Sequence, residues 1–166
     1  LEAWARFPVY IKTPIGTASG GIHRLDGPAD LRRLLVSQAS DDLFADSDVG
    51  LLAQLPETGP LAMVQAVFDH GRLMAFHANL RVRQGARGGA SHKRSVRLSE
   101  GRTMVRELGA ALSWHGALSA DLILTGAGPS IIDVNPRLVE PVNGGRSGVD
   151  LVGAMIDVGL HRHPAE

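Results

Sequence analysis

The stretch Asp121-Leu122-Ile123-Leu124-Thr125-Gly126-Ala127-Gly128-Pro129-Ser130-Ile131-Ile132-Asp133-Val134-Asn135-Pro136-Arg137 organises the chain. Apolar residues flank Gly126-Ala127-Gly128-Pro129, so it reads as two short strands joined by a turn, a hairpin whose ends lie close together. Asp121 is thereby placed near Asp133 and Asn135. The period of two along a strand points Asp133 and Asn135 to one face. Two carboxylates and an amide oxygen on one side of a sheet are hard ligands of the kind magnesium takes alongside waters and phosphate oxygens. The same residues also read as a polar strand end, where Asp and Asn commonly serve turns. Arg137 tips the balance toward the metal site.

Composition narrows the class. A chain of 166 residues, 44% hydrophobic, is long enough to bury one real core. The formal net charge is zero, which gives no reason to expect a nucleic-acid or membrane partner. Without Cys there are no disulfides, thiolate metal sites or Cys nucleophiles, in keeping with a cytoplasmic protein. No apolar run approaches the roughly 20 residues that span a bilayer. The first residue is Leu, with no charged-then-apolar leader, and the chain is taken as a piece of a longer polypeptide. Among 17 basic residues only Lys12 and Lys93 are lysines, which singles them out.

Phe7 to Lys12 is a short β-prone run ending in a charge, followed by a small-residue loop, Thr13-Pro14-Ile15-Gly16-Thr17-Ala18-Ser19-Gly20-Gly21. Glycines let backbone N–H groups approach an anion, and a lysine at the preceding strand end supplies a compact positive charge. The order differs from a Walker A loop, whose Lys follows the glycines, and no G-x-G-x-x-G opens a helix. A hairpin turn beside a surface lysine fits the same residues. Pro28 to about Gln38 reads as an amphipathic helix with Leu31, Leu34 and Leu35 on one face and Asp26 or Gly27 at its cap. The acid-rich segment Ser40 to Asp48 lacks the pattern of a calcium hand and reads as a solvated loop.

Val49 to Leu55 is an apolar strand leading into Pro56-Glu57-Thr58-Gly59. Leu61 to Phe68 and Leu73 to Val82 are strands joined by the tight turn Asp69-His70-Gly71, one face packed and the other partly polar. His77 reads as a half-buried sheet histidine with a satisfied hydrogen bond. Arg81 to Arg94 reads as a basic, glycine-rich loop. Its lack of aromatics argues against single-stranded nucleic acid, and its charge suits an anionic substrate, though a solvated loop serves as well. Glu100 to Trp114 is the clearest helix, capped by Ser99, with Met104, Val105, Leu108, Ala111 and Leu112 as its stripe. Leu138 to Gly148 reads as a turn-rich loop in which Asn143 and Arg146 face substrate or Asn143 caps a turn. Val149 to Leu160 is a final helix, and His161 to Pro164 is too short and frayed for a metal site.

Asp121, then Asp133-x-Asn135-Pro136-Arg137 after eleven residues, resembles the metal-binding hairpin of ATP-grasp enzymes, near the carbamoyl-phosphate-synthase-like and carboxylate–amine ligase members, which more often carry Glu where this chain has Asp133. Lys12 with its small loop is similar to the ATP-grasp phosphate loop, and Val49 to Gly59 resembles the hinge strand. The resemblance runs from about Phe7 to Leu160. It implies an α+β fold of two subdomains with antiparallel sheets and the nucleotide between them, the N-terminal part absent. The expected divisions are 1–54 for the small subdomain up to the hinge strand, 55–160 for the C-terminal subdomain with the metal hairpin, and 161–166 for a tail. Asp121, Asp133 and Asn135 are implied to hold Mg2+, or Mn2+, on the phosphates of ATP. Lys12, Gly20 and Gly21 are implied on the phosphates, Gln54, Leu55 and Glu57 beside adenine, and Arg137, Lys93 and Arg81 on the reacting groups. The implied activity activates a carboxylate as an acyl phosphate for attack by an amine or ammonia. The alternatives are a biotin-dependent-carboxylase-like enzyme and a catalytically silent ATP-binding module acting as sensor or scaffold. The expected partners are the two small substrates and the absent N-terminal region, without which the piece is expected to be inactive alone.

Overall fold

The computed structural model describes residues 6–16, 21–37, 50–85 and 90–162. The chain divides into two compact units, Leu1–Glu57 and Thr58–Glu166. The acid-rich segment Ser40 to Asp48, Gln38, Gly20 and residues 86–89 lie outside the described residues.

In the first unit, β1 (Val9–Lys12) is the central strand of a three-stranded antiparallel sheet between β2 (Ile22–Leu25) and β3 (Leu52–Gln54). Val9 and Ile11, two residues apart, point to the same face and are buried with Leu25 and Leu31. Leu31 comes from helix α1 (Pro28–Leu35), which opens with Pro at a position whose N–H has no helical partner to lose. Gly27 is the N-cap and has no side chain to offer. The Asp30 carboxylate instead accepts from the backbone N–H of Asp26 at 2.8 Å. Leu35, expected on the buried stripe, is 51% exposed, because three short strands cover only the side of the helix that carries Leu31 and Leu34.

The second unit is a five-stranded antiparallel sheet in the order β6-β5-β4-β7-β8. Its strands are β4 (Leu61–Asp69), β5 (Arg72–Gln84), β6 (Ala90–Ser95), β7 (Gly116–Thr125) and β8 (Gly128–Asn135). Ala62, Val64 and Ala66 stand opposite Leu80, Ala78 and Phe76 on one side and Leu122, Ala120 and Leu118 on the other. This apolar face packs against Val105, with Met104 and Leu108, of helix α2 (Ser99–Ala111).

The opposite face is not half solvated, as alternation in β4 suggested. Val64 to Phe68 are buried without a break, because Val67 packs under Leu151 and Val158 of helix α4 (Leu151–Gly159). The polar residues of that face, Gln65, His77, Asn79 and Ser119, are at most 5% exposed. A further short helix, α3 (Val142–Arg146), lies within the segment read as a turn-rich loop. The Arg81 to Arg94 region is also not a loop throughout. Arg81–Gln84 completes β5, and Ala90–Ser95 returns beside it as β6. No helix among the described residues is long and apolar enough to cross a membrane.

Helix α2 corrects two expectations. Leu98, not Ser99, is its N-cap, with no side-chain capping bond, and the helix stops at Ala111 rather than Trp114. Leu112 is exposed, and the fully buried positions are Gly101, Val105 and Gly109, one turn apart. Glycine lets the helix backbone lie directly on the fully buried ring of Phe68, so the contact line runs through the glycines and turns Leu112 outward. A Cβ at Gly109 would overlap the edge of the Phe68 ring at Cε1, Cζ and Cδ1. Gly109→Ala therefore gains about 1 kcal/mol of helix propensity but overpacks the core at a cost of about 1–3 kcal/mol or more. The expected net is a loss of stability, seen as a lower urea midpoint with an unchanged slope.

Candidate functional site

The β7–β8 hairpin turns through Gly126 and Ala127, and Thr125 secures it. Its hydroxyl donates to the Gly128 carbonyl at 2.8 Å and accepts from the Ala127 N–H at 3.1 Å. From this turn the register runs Thr125 opposite Gly128, Ile123 opposite Ser130 and Leu122 opposite Ile131. Continued unbroken, it would place Ile132 opposite Asp121 and turn Asp133 to the other face. Instead the register shifts between Asp121 and Leu122, leaving Ile132 as an extra residue. Asp133 then stands opposite Asp121, and Asn135 opposite Ser119. This is the action of a β-bulge, which changes the face to which every later side chain points. Asp121, Asp133 and Asn135 consequently share one face.

The same face carries positive charge two strands away. Met63 lies between Asn79 and Asp121, and Arg81, two residues beyond Asn79, pairs with Lys93. Burial raises the Asp121 carboxyl above its ordinary range, and the Asp133 charge adds to this, while Lys93 and Arg81 pull it down. Two carboxylates directly across an antiparallel pair repel. The Asn135 amide nitrogen donates to Asp133 at 2.9 Å, which leaves its carbonyl oxygen to act as a ligand. The donor set of two carboxylates and one amide oxygen, with a repulsion at its centre that Lys93 and Arg81 only partly offset, fits a hard divalent cation.

The segment after the hairpin is tied to this face by buried side chains. Ser119 donates to the Arg137 carbonyl at 2.6 Å, and the exposed Arg137 side chain continues from the ligand-bearing strand. Gln65 accepts from the Val139 N–H at 2.9 Å and donates to the Glu140 carbonyl at 3.4 Å. The Ser95 and Ser147 hydroxyls are 2.6 Å apart. Glu140, with φ +58°, receives Lys93 Nζ at 2.6 Å and the Asn143 amide nitrogen at 3.0 Å on the same carboxylate oxygen. Asn143 thus positions Glu140. Glu140 was not singled out from the sequence, although it is the one acid between Asp133 and Asp150. His77 is more buried than expected and only half satisfied. Its Nε2 meets Ser95 Oγ at 3.0 Å, its Nδ1 is buried without a partner, and burial lowers its pKa.

In the first unit Lys12 ends β1 between Ile22 and Leu52. The Thr13 N–H donates to the Gly21 carbonyl at 3.4 Å, closing the base of the small-residue loop. Gly21 has φ +73°, a conformation L side chains rarely adopt, and a Cβ there would sit tightly, 3.0 Å from Thr13 Oγ1. Gln54 stands opposite Tyr10, and Leu55 and Glu57 are exposed.

Neither the models of known families nor the curated proteins yield a match to the sequence. Solved structures do. The biotin carboxylase domain of Hydrogenobacter thermophilus 2-oxoglutarate carboxylase, in complex with MgADP, ADP and bicarbonate, superposes on 99% of the chain with TM-score 0.76 at 18% identity. Biotin carboxylase of Campylobacter jejuni covers 100% with TM-score 0.77 at 21% identity. This is the ATP-grasp fold. A more distant ATP-grasp structure, the ATP complex of Bacillus anthracis D-alanine–D-alanine ligase, covers 93% with TM-score 0.61 at 15% identity. The chain spans 39%, 40% and 54% of these three proteins respectively.

The strained carboxylate pair of this ATP-grasp hairpin predicts opposite effects on stability and binding. With its folded pKa raised, Asp121 binds more protons in the folded than in the unfolded state. Stability therefore falls as pH rises from the ordinary carboxylate value, about 3.9, through the raised folded value. Asp121→Asn removes that slope. It is expected to raise the melting temperature of the metal-free protein at neutral pH, and to weaken the binding of added magnesium. Melting curves at several pH values check both.

Proposed function

We propose that this chain is the nucleotide- and metal-binding part of an ATP-dependent ligase that activates a carboxylate as an acyl phosphate for attack by an amine or ammonia. The observation that carries the proposal is the register shift at Ile132, which puts Asp121, Asp133 and Asn135 on the face that also bears Arg81 and Lys93. Asp121, Asp133 and Asn135 would hold a magnesium ion, which would supply neutralisation of phosphate oxygens for in-line transfer. Within the first unit, Lys12 is the cation that would meet a nucleotide phosphate, with the backbone of Gly21 beside it. Gln54, Leu55 and Glu57 hold adenine, largely through backbone groups.

Arg81, Lys93 and Arg137 supply cations to the carboxylate and to the charge that develops on the transferring group. Such fixed charges accelerate a reaction because they need no reorganisation as charge moves. Lys93 is held by Glu140 until an anionic substrate competes for it. No side-chain nucleophile takes part. Displacement of phosphate by the amine completes the ligation.

A narrower reading, in which the acid is bicarbonate and the enzyme is biotin-dependent, is favoured by the TM-scores of 0.76 and 0.77 to biotin carboxylases against 0.61 to the D-alanine ligase. ATP turnover dependent on bicarbonate and biotin, rather than on an amino acid pair, distinguishes it. ATP binding with no turnover under any acid and amine, measured in a longer polypeptide that contains this chain, leaves the silent module.

Two substitutions test the site by titration calorimetry. Asp133→Asn removes one charge from an exposed ligand and is expected to weaken MgATP binding by roughly tenfold or more, about 1.4 kcal/mol, with the melting temperature nearly unchanged. An unaltered magnesium dependence sinks the metal assignment. Lys12→Met keeps the stem and deletes the charge. Nucleotide affinity is expected to fall while magnesium binding without nucleotide stays put, and equal ATP affinity in variant and parent removes Lys12 from the site.

A further inference from the structure

At the far end of β4 from the magnesium ligands, three donors of a different chemistry meet. Asp69 ends β4, His70 lies in the turn to β5, and His115 immediately precedes β7. Phe68 pairs with Gly116 across β4 and β7, so the register carries Asp69 beside His115. The Asp69 carboxylate oxygen lies 2.8 Å from His70 Nδ1 and 3.5 Å from His115 Nδ1. The two imidazoles face one another with ring centroids 4.2 Å apart, tilted by 41°. One ligand atom from each residue falls within 4.8 Å of the others.

We propose that Asp69, His70 and His115 form a second cation site, which takes a borderline divalent transition ion such as Zn2+ in preference to Mg2+. Tetrahedral zinc with ligands at about 2.0–2.1 Å sets neighbouring donors about 3.3 Å apart, close to the His115–Asp69 separation. The His70–Asp69 separation of 2.8 Å is shorter than that spacing, and all three ligand atoms lie within 4.8 Å of one another. Two imidazoles and one carboxylate suit zinc, nickel or copper, whereas magnesium takes oxygen almost exclusively. The carboxylate is 16% exposed, and the rings are 74% and 41% exposed. The acid therefore forms the floor and the imidazoles the open rim, where waters or a donor from another molecule complete the coordination.

The turn itself supports this assignment. His70 and Gly71 both have positive φ, +44° and +88°, as a type I′ hairpin demands of its two central residues. Asn is the residue best suited to the first of these positions, yet this chain places a histidine there, with its ring on the carboxylate of the preceding residue. The Gly71 N–H donates to the Trp114 carbonyl at 2.7 Å, fixing the turn against the segment that bears His115. Asp69 is six residues from Met63 along β4, so the two sites are separated by about 20 Å of strand.

That separation lets the second site be tested without disturbing the first. His70→Asn keeps, and by its turn preference favours, the type I′ turn while removing one ligand. His115→Gln removes another. Zinc alone, titrated into the 166-residue chain, is expected to bind with one-to-one stoichiometry and to perturb the imidazole proton resonances of His70 and His115, while magnesium leaves them in place. Each variant is expected to lose roughly 10–100-fold in zinc affinity, at least the loss seen when outer-shell partners of a metal are removed, with MgATP binding unchanged. His161→Gln, in the C-terminal region, is expected to change nothing. Zinc affinity that survives both His70→Asn and His115→Gln, zinc uptake lost only in His161→Gln, or no uptake at stoichiometric zinc overturns the proposal.

Discussion

A single extra residue in β8, Ile132, determines what the hairpin can bind. Were the register to run on with no shift at Ile132, two-residue turn geometry and period-two alternation would send Asp133 to the apolar face beneath α2, where a carboxylate has no partner. The bulge gives that side to Val134 instead, and both acids share the polar face. The result is a like-charge pair that neither relaxation nor solvent fully relieves, since burial is the leading cause of the raised pKa of Asp121 and Asp133 is the second. Arg81 and Lys93 offset part of the repulsion from the same face. In the proposed metal site a cation would remove the rest, which would link the stability of this unit to its occupancy.

The polar face is held by a small number of buried hydrogen bonds. Gln65 and Ser119 spend their side chains on the backbone of Arg137, Val139 and Glu140. A net hydrogen bond contributes only about 1 kcal/mol, but leaving one of these buried groups unpaired costs about 1–3 kcal/mol. These residues therefore specify where the chain runs after Arg137 more than they add to stability. Their effect is to deliver Glu140, at a positive φ, to Lys93.

Strand β4 joins the two ends of this architecture. It is the central strand, covered by α2 on one face and by α4 and the pinned segment on the other, so its middle is apolar on both sides. Its two ends lie beside the two sets of donor groups. The Met63 end stands beside oxygen ligands and cations, and the Asp69 end carries imidazoles. A rigid strand between them keeps the two donor chemistries apart.

The sequence by itself determined the local features. The turn at Gly126-Ala127, the apolar runs on either side, the lysine before a loop of small residues and the Asp-x-Asn spacing are all readable over a few residues, because turn chemistry and strand period act at short range. These features were enough to mark Asp121, Asp133, Asn135 and Lys12. Tertiary structure alone decided the rest. The bulge at Ile132, the pairing of Arg81 with Lys93, the capture of Glu140 by Lys93 and the meeting of His115 with Asp69 all depend on strand register. Register is chosen by which side chains the two helices can bury on opposite faces of the sheet. The end of α2 at Ala111 is set in the same way. Its contact line follows the glycines that admit Phe68, and a count of apolar residues at helical spacing cannot see the ring that packs there.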